Sequence, residues 1–176
     1  MEFKLRPWKT EDIDGIVDSI TENITRFMSD SFPDTKVKWE KFILFTQENS
    51  SAYYRAIEVN GIAVGEIGVL LHDDIYRKNG ELGYWINESY QGKGIVTEAI
   101  NEIVTLVFEN YEINRIYATP FANNFASHRV LEKAGFKIEA FFEKTVYKNG
   151  KMIDEIIYSI KHSKLKCNIH LTILNQ

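Results

Sequence analysis

The strongest pattern in the sequence is a run of apolar residues at helical spacing between Ile95 and Phe108. Two neighbouring lanes of this run are apolar: Ile95, Ala99, Ile103 and Val107 form one, and Val96, Ile100, Val104 and Phe108 form the other. The residues between them are mostly polar. A stripe this broad predicts an α-helix that buries one whole face against a sheet.

A short glycine-rich turn, ESYQGKG, leads directly into this helix and follows a predicted strand, ELGYWIN. The first backbone N–H groups of a helix have no partner within it, and the helix dipole adds partial positive charge there. Gly92 and Gly94 permit a tight turn and let a ligand approach the backbone. The turn therefore predicts a seat for an anion such as pyrophosphate, although it matches neither a P-loop nor a dinucleotide fingerprint. Taken alone it is equally compatible with an ordinary loop.

The remaining periodicity predicts the element order β-α-α-β-β-β-α-β-α-β-β. Thr10 is a suitable N-cap for the first helix, and Asn60–Gly61 and Asn149–Gly150 are suitable two-residue hairpin turns. We expect strands at residues 3–5, 52–59, 62–71, 81–87, 114–121, 136–147 and 151–160. We expect further helices at residues 37–48 and 124–134, and a loop at 29–36.

Composition limits the class of protein. The chain has 176 residues and a globular composition, so we expect one domain at 1–160 and a tail of uncertain structure at 161–176. A net charge of −4 argues against nonspecific nucleic-acid binding. The single cysteine, Cys167, excludes a disulfide within the chain. No signal peptide or membrane-spanning run is visible, which predicts a soluble cytoplasmic protein. The oligomeric state is left open between a monomer and a homodimer.

Two stretches in this order, ELGYWINESYQGKGIVTEA and NRIYATPFANNFASHRVLEKAGF, resemble the GCN5-related N-acetyltransferase (GNAT) superfamily. The likeness is to its RimJ/RimL-like branch of ribosomal-protein N-terminal acetyltransferases and extends over residues 3–160. It implies an α/β (α+β) fold with a mixed, mostly antiparallel seven-stranded sheet flanked by helices. The central parallel strands, here 82–86 and 116–120, would be splayed. The implied activity is direct transfer of an acetyl group from acetyl-CoA to a primary amine, which is a protein N-terminus or a small amine.

The resemblance also implies cofactor-binding residues. The family pattern Gln/Arg-x-x-Gly-x-Gly/Ala falls on Gln91, Gly94 and Val96, where valine replaces a small residue and leaves less room beside the phosphates. The family's Asn-x-x-Ser falls on Asn124 and Ser127. In relatives the asparagine bonds the pantetheine arm and the serine sits near the thioester sulfur. The expected cofactor-binding set is Trp85, Ile86, Gln91, Gly92, Lys93, Gly94, Ile95, Val96, Asn124, Ser127 and Lys133. Lys93 and Lys133 are also compatible with plain solvated lysines.

The predicted proton donor to the leaving thiol is Ser127, with Tyr84 or Tyr90 as alternatives. Ser127 is also compatible with a helix-end residue that satisfies a backbone N–H. Glu81 is the first candidate for the general base and Glu66 the second, although either is compatible with a solvated strand residue.

Some relatives carry a glutamate at the position of Val146, where this chain has no carboxylate. That difference leaves open a non-catalytic acyl-CoA-binding sensor or interaction module as the alternative function.

No metal site is expected, because the four histidines lack metal-ligand spacing. We predict that all of them are surface residues: His72, His128, His162 and His170. The aromatic residues Trp39, Tyr53, Tyr54 and Trp85 are predicted mainly as core or strand-pairing residues, and Tyr84 or Trp85 as a wall of the acceptor site.

Overall fold

The structure is a computed structural model that describes residues 1–162. The strands are β1 (Lys4–Arg6), β2 (Ala52–Val59), β3 (Ile62–Leu71), β4 (Asn79–Ile86), β5 (Arg115–Ala118), β6 (Lys137–Lys148) and β7 (Lys151–Lys161). The helices are α1 (Ile13–Ser19), α2 (Glu22–Thr25), α3 (Lys36–Glu48), α4 (Ile95–Asn110) and α5 (Phe125–Lys133). Apart from Lys161 and His162, the predicted tail lies outside the described residues, as do Cys167 and His170.

The seven strands form one sheet in the order β1-β2-β3-β4-β5-β7-β6. Only β4 and β5 are parallel neighbours, and their pairing runs from Asn79 opposite Arg115 to Glu81 opposite Tyr117. Beyond Glu81, β4 continues to Ile86 without β5 as a partner, and β5 ends at Ala118, before the predicted end of that strand. The predicted mixed, mostly antiparallel sheet with splayed central strands is therefore confirmed.

Both predicted hairpin turns are confirmed by their backbone angles. Asn60 and Gly61 have φ values of 52° and 83°, and Asn149 and Gly150 have values of 50° and 76°. Two successive residues with positive φ are the requirement of a type I′ turn, which matches the twist of the flanking strands. These turns fix the register of the β2–β3 and β6–β7 hairpins.

The sheet buries a different core on each face. On one face, α4 and α5 pack over Leu82, Ile86 and Ile116, and α4 buries the apolar stripe predicted from its sequence. On the other face, α1 to α3 cover a cluster that contains Trp8, Trp39 and Trp85. Because neighbouring strand residues point to opposite faces, β4 contributes to both cores.

The predicted N-cap at Thr10 is wrong. Thr10 begins a short 3-10 turn (Thr10–Asp12), and the carboxylate of Asp12 accepts the backbone N–H of Lys9 at 2.9 Å. Asp12 also takes two hydrogen bonds of 2.7 Å from the guanidinium of Arg6. This bidentate pair holds the Asp12 carboxylate where it can cap the turn, so the threonine hydroxyl is not needed.

The prediction that His128 is a surface residue is also wrong. Its side chain is buried, its Nε2 lies 3.1 Å from the carbonyl oxygen of Ala122, and its ring packs against Tyr158. Among residues 1–162, no group of three or more His, Cys, Asp or Glu side chains could hold a metal ion. No helix in this range is long and apolar enough to cross a bilayer.

Candidate active site

A cleft of about 870 Å³ opens where β4 and β5 separate, a volume typical of sites for small molecules and cofactors. It has two walls. The amide wall comprises residues 86–97 and 124–133, from the end of β4 through the start of α4 and from α5. The carboxylate wall comprises Arg26 to Ser29, Glu81, Thr119 to Phe121, Val146 and Glu155.

The amide wall is shaped by two glycines with left-handed backbone angles. Gly92 has φ 72°, and Gly94, the N-cap of α4, has φ 83°. The first hydrogen bond of α4 runs from Glu98 N to Gly94 O at 3.1 Å, so the N–H groups just before Glu98 have no helical acceptor. With the dipole of a 16-residue helix behind them, these groups can bind an anion.

All the predicted cofactor-binding residues line the cleft. Val96, which departs from the family pattern, also packs partly against the core of that face of the sheet. Gln91 donates from Nε2 to the carbonyl oxygen of Ile86 at 3.3 Å and so ties the turn back to β4. The set that lines the cleft is Trp85, Ile86, Gln91, Gly92, Lys93, Gly94, Ile95, Val96, Asn124, Ser127 and Lys133.

Three cationic side chains line the amide wall: Lys93, Lys133 and Arg129. The sequence analysis missed Arg129, although it lies four residues before Lys133 and so on the same side of α5. The Nζ atom of Lys93 lies 5.1 Å from the centre of the Tyr90 ring. Unpaired helix amides beside three cations fit a ligand with several phosphates, as the expected acetyl-CoA has.

Ser127 and Tyr84 form a polar contact in the cleft. Their hydroxyl oxygens are 2.7 Å apart, and Ser127 N donates to the Asn124 side chain at 3.3 Å, which makes Asn124 the N-cap of α5. Burial raises the pKa of Tyr84 well above its usual value, so the phenol stays protonated. The pair therefore holds an exchangeable proton next to the amide wall.

Glu81 lies in the cleft at the last pair before the strands separate. The hydroxyls of Tyr117 and Thr119 each donate to its carboxylate at 3.4 Å. Tyr117 is in turn 2.9 Å from Nε2 of His72, whose ring stacks on it. Long hydrogen bonds of this kind leave the Glu81 carboxylate able to bind another group.

The structure does not bring Glu66 to the cleft. Its side chain is buried beneath α1 to α3, and its Oε2 accepts the indole N–H of Trp8 at 3.1 Å. Burial raises the pKa of Glu66 to about 8. Glu66 lies opposite Trp85 in the sheet, so it supports Trp85, which lines the cleft, but does not line the cleft itself.

The cleft holds a carboxylate that the sequence analysis missed, Glu155 on β7. β6 bulges between Phe142 and Val146, and Thr145 in the bulge donates to Glu155 at 2.9 Å. Val146 lines the same part of the cleft, where some relatives carry a glutamate. The signal available in the sequence was the acidic pair Asp154–Glu155, but its position depends on the bulge.

Residues 21–28 form the mouth of the carboxylate wall and are held at both ends by hydrogen bonds. Glu88, just before the glycine turn, accepts hydrogen bonds from Thr21 and from Asn23. Lys148, at the end of β6, donates to the carbonyl oxygen of Met28. These contacts connect the mouth of the cleft to the amide wall and to the last hairpin.

The chain matches other proteins over most of its length. The model of the Acetyltransferase (GNAT) domain family matches residues 2–137. The putative ribosomal N-acetyltransferase YdaF of Bacillus subtilis (strain 168) is 32% identical over 139 residues, which cover 68% of this chain and 76% of YdaF. The ribosomal-protein-serine acetyltransferase of Escherichia coli (strain K12) is 28% identical over 95 residues, or 53% of each protein.

A solved structure matches the fold closely. The microcin C7 self-immunity acetyltransferase MccE, in complex with acetyl-CoA and AMP, has a TM-score of 0.80 and 25% identity. The match covers 92% of this chain and 93% of MccE. Together with the family model and YdaF, it shows that the chain belongs to the GNAT family of acetyl-CoA-dependent N-acetyltransferases.

Proposed function

We propose that the acceptor is the free α-amine of a protein N-terminus, and that the reaction takes place in the cytoplasm. The observation that carries this proposal is the open cleft between β4 and β5, with the Tyr84–Ser127 pair on one side and the carboxylates of Glu81 and Glu155 on the other. The names of YdaF and of the E. coli relative support a ribosomal-protein acceptor.

Bound acetyl-CoA supplies an acetyl group activated as a thioester. In the transfer, the acetyl C–S bond breaks, a C–N bond forms, the amine loses one proton and the thiolate gains one. Gln91 to Val96 and the start of α4 would bind the phosphates, with Lys93, Lys133 and Arg129 nearby. The amides do most of this work, because they are fixed by the backbone before the ligand arrives.

Ser127 would supply the proton for the leaving sulfur. Its hydroxyl can donate into the cleft while it accepts a hydrogen bond from Tyr84, whose phenol stays protonated. A thiol with a reference pKa near 8.5 needs only a modest donor. Tyr84 therefore acts as a positioning residue. Its hydrogen bond orients the Ser127 hydroxyl toward the leaving sulfur and can pass a proton to it.

Glu81 would accept the proton from the acceptor amine. An α-amine has a reference pKa of about 8, so roughly a tenth of it is neutral near pH 7, far more than of a lysine side chain, and a weak base suffices. Glu81 lies where the two strands diverge, on the face of the sheet opposite Leu82 and Ile86. From there its carboxylate reaches the cleft from the acceptor side.

The test is steady-state release of CoA thiol from acetyl-CoA with a panel of short peptides and polyamines as acceptors. We expect Ser127→Ala to lower kcat by about 10- to 100-fold while the Kd for CoA changes less than about twofold. Tyr84→Phe should lower kcat less, since Ser127 keeps its hydroxyl.

Ser51→Ala, at a serine outside the cleft, is the control and should behave as the wild type. Unchanged turnover in Ser127→Ala would contradict the role of Ser127. Tight CoA binding by the wild type without turnover on any acceptor would favour a non-catalytic acyl-CoA sensor instead.

A further inference from the structure

Glu155 occupies a position in the carboxylate wall that neither the mechanism above nor the family pattern uses. It lies on β7, opposite Phe142 on β6, and forms a single bridge to Phe121 after the end of β5. Ser159 pairs with Tyr117, so Glu155 and Ser159 face the same side of the sheet as Glu81. Two strands thus bring two carboxylates to the same side of one cleft.

The β6 bulge sets the orientation of Glu155. Between the pairs Phe142–Glu155 and Val146–Ile153, β6 has three residues where β7 has one. The backbone N–H of Lys144 donates to Asp154 at 2.7 Å, and Thr145 donates to Oε2 of Glu155 at 2.9 Å. The bulge therefore holds Oε2 of Glu155, and because a carboxylate has two oxygens, Glu155 keeps acceptor capacity for a ligand in the cleft that it lines.

Glu155 has no ion-pair partner in the described part of the chain. Among residues 1–162, no lysine or arginine forms an ion pair with Glu155 or Glu81, although Glu58, Glu112 and Glu139 each have one. A half-buried carboxylate without a cation is a ready site for a cationic ligand. The α-amine of a peptide is mostly protonated near pH 7, so it arrives as such a cation.

We propose that Glu155 binds the ammonium group of the acceptor and makes the enzyme selective for cationic primary amines. This inference rests on the proposed acetyl transfer. Glu155 then takes the place of the carboxylate that some relatives carry at the position of Val146, and reaches the same part of the cleft from the neighbouring strand. Val146 and Phe121 beside it provide apolar contact for the carbon next to the amine.

The experiment measures initial rates of the full-length enzyme with a short peptide that has a free N-terminal serine. We expect Glu155→Gln to raise the KM for the peptide about tenfold or more, because a charge-assisted hydrogen bond is lost. The KM for acetyl-CoA and the Kd for CoA should stay within about twofold. Glu155→Asp should recover part of the peptide affinity, since it restores the charge at a shorter reach.

Glu143→Gln is the matched control, because Glu143 is an exposed carboxylate in the same bulge and pairs with the neighbouring Lys144. It should leave both KM values unchanged. A peptide whose N-terminal amine is replaced by hydrogen should inhibit the wild type and Glu155→Gln equally, since it lacks the ammonium group.

An unchanged peptide KM in Glu155→Gln, while Ser127→Ala still loses turnover, would overturn this inference and leave the proposed function standing. An equal loss of peptide and CoA affinity would also overturn it, because Glu155 would then act on the fold of the cleft. If the wild type transfers acetyl to no amine at all, the proposed function is refuted, and this inference is refuted with it.

Discussion

The two walls of the cleft are built from chain segments of very different kinds. The amide wall comes from two continuous stretches, 86–97 and 124–133, each of which contains a helix start. The carboxylate wall collects residues from 26 to 155, which meet only after the sheet has formed. A wall made by local backbone geometry can be recognised from a motif, whereas a wall made by long-range pairing cannot.

The walls also differ in what holds them rigid. In the amide wall, the backbone itself is the binding group, and the left-handed glycines and the caps of α4 and α5 fix it. In the carboxylate wall, side chains do the binding. Their positions are set by the β6 bulge, by the hydrogen bonds of Thr21 and Asn23 to Glu88, and by the cluster that contains Trp8, Trp39 and Trp85. Substitutions in different parts of the cleft should therefore affect different quantities: the stability of the fold, the affinity for the cofactor, or the affinity for the acceptor.

Of the three variants that follow, Glu66→Gln should have the largest effect, and it should change only the free energy of unfolding. The pKa of Glu66 is raised in the folded protein to about 8, above its unfolded value near 4.3, so the folded state keeps a proton that the unfolded state releases between these pH values. The wild type therefore loses stability as pH rises through that window. Glutamine should remove this loss and stabilise the protein by roughly 3 kcal/mol at pH 7.

Urea denaturation at pH 6, 7 and 8 measures the effect, with Glu102→Gln on the exposed side of α4 as the control. The stability gap between Glu66→Gln and the wild type should widen with pH, while kcat stays within about twofold. A collapse of kcat with intact CoA binding would restore Glu66 as a candidate base and contradict its assignment to the support of the wall.

Gly94→Ala should have the second-largest effect. We expect it to weaken cofactor binding at the amide wall and to leave acceptor binding unchanged. Gly94 has φ 83°, so an L-residue there is strained, and the added methyl would meet no protein atom closer than Glu98 Oε1 at 4.0 Å. We expect the KM for acetyl-CoA to rise about tenfold and stability to fall by about 1 kcal/mol. The KM for the acceptor should be little changed.

Gly61→Ala is a matched control, since Gly61 has the same φ of 83° but lies in the β2–β3 turn, outside the cleft. It should show a similar fall in melting temperature with no change in either KM. If both variants bind CoA like the wild type, the close approach of the ligand to Gly94 is refuted.

Glu88→Gln should have the smallest effect, on the mouth of the carboxylate wall. The amide would turn a donor toward Thr21 or Asn23, which now donate to the carboxylate. Because these side chains are exposed, the expected change is a rise of about two- to threefold in the acceptor KM, with the acetyl-CoA KM unchanged. Initial rates measure both, with Glu112→Gln, whose partner is Lys78, as the control. A rise confined to the KM for acetyl-CoA would show that Glu88 supports only the amide wall, in which it lies, and would contradict its role at the mouth of the cleft.

Local sequence patterns predict most of the helices and strands and the glycine turn of the amide wall. The stripe of α4, the hairpin turns at Asn60 and Asn149 and the glycine turn before Ile95 all follow from rules that act over a few residues. Such rules depend on backbone angles and on the periods of helices and strands, which a single chain displays directly. The resemblance to the GNAT family added the other residues expected to bind the cofactor, such as Asn124 and Ser127, and all of them line one cleft.

The surroundings of individual polar side chains depend instead on tertiary packing. Glu66 and Glu81 look alike in the sequence, yet one is buried against Trp8 and the other faces the cleft. His128 is buried against Tyr158, and Glu155 reaches the cleft because a bulge in the neighbouring strand holds it there. The burial of a side chain, its ionic partners and its access to the cleft depend on which distant residues pack around it. The local periodicity of the sequence does not identify those residues.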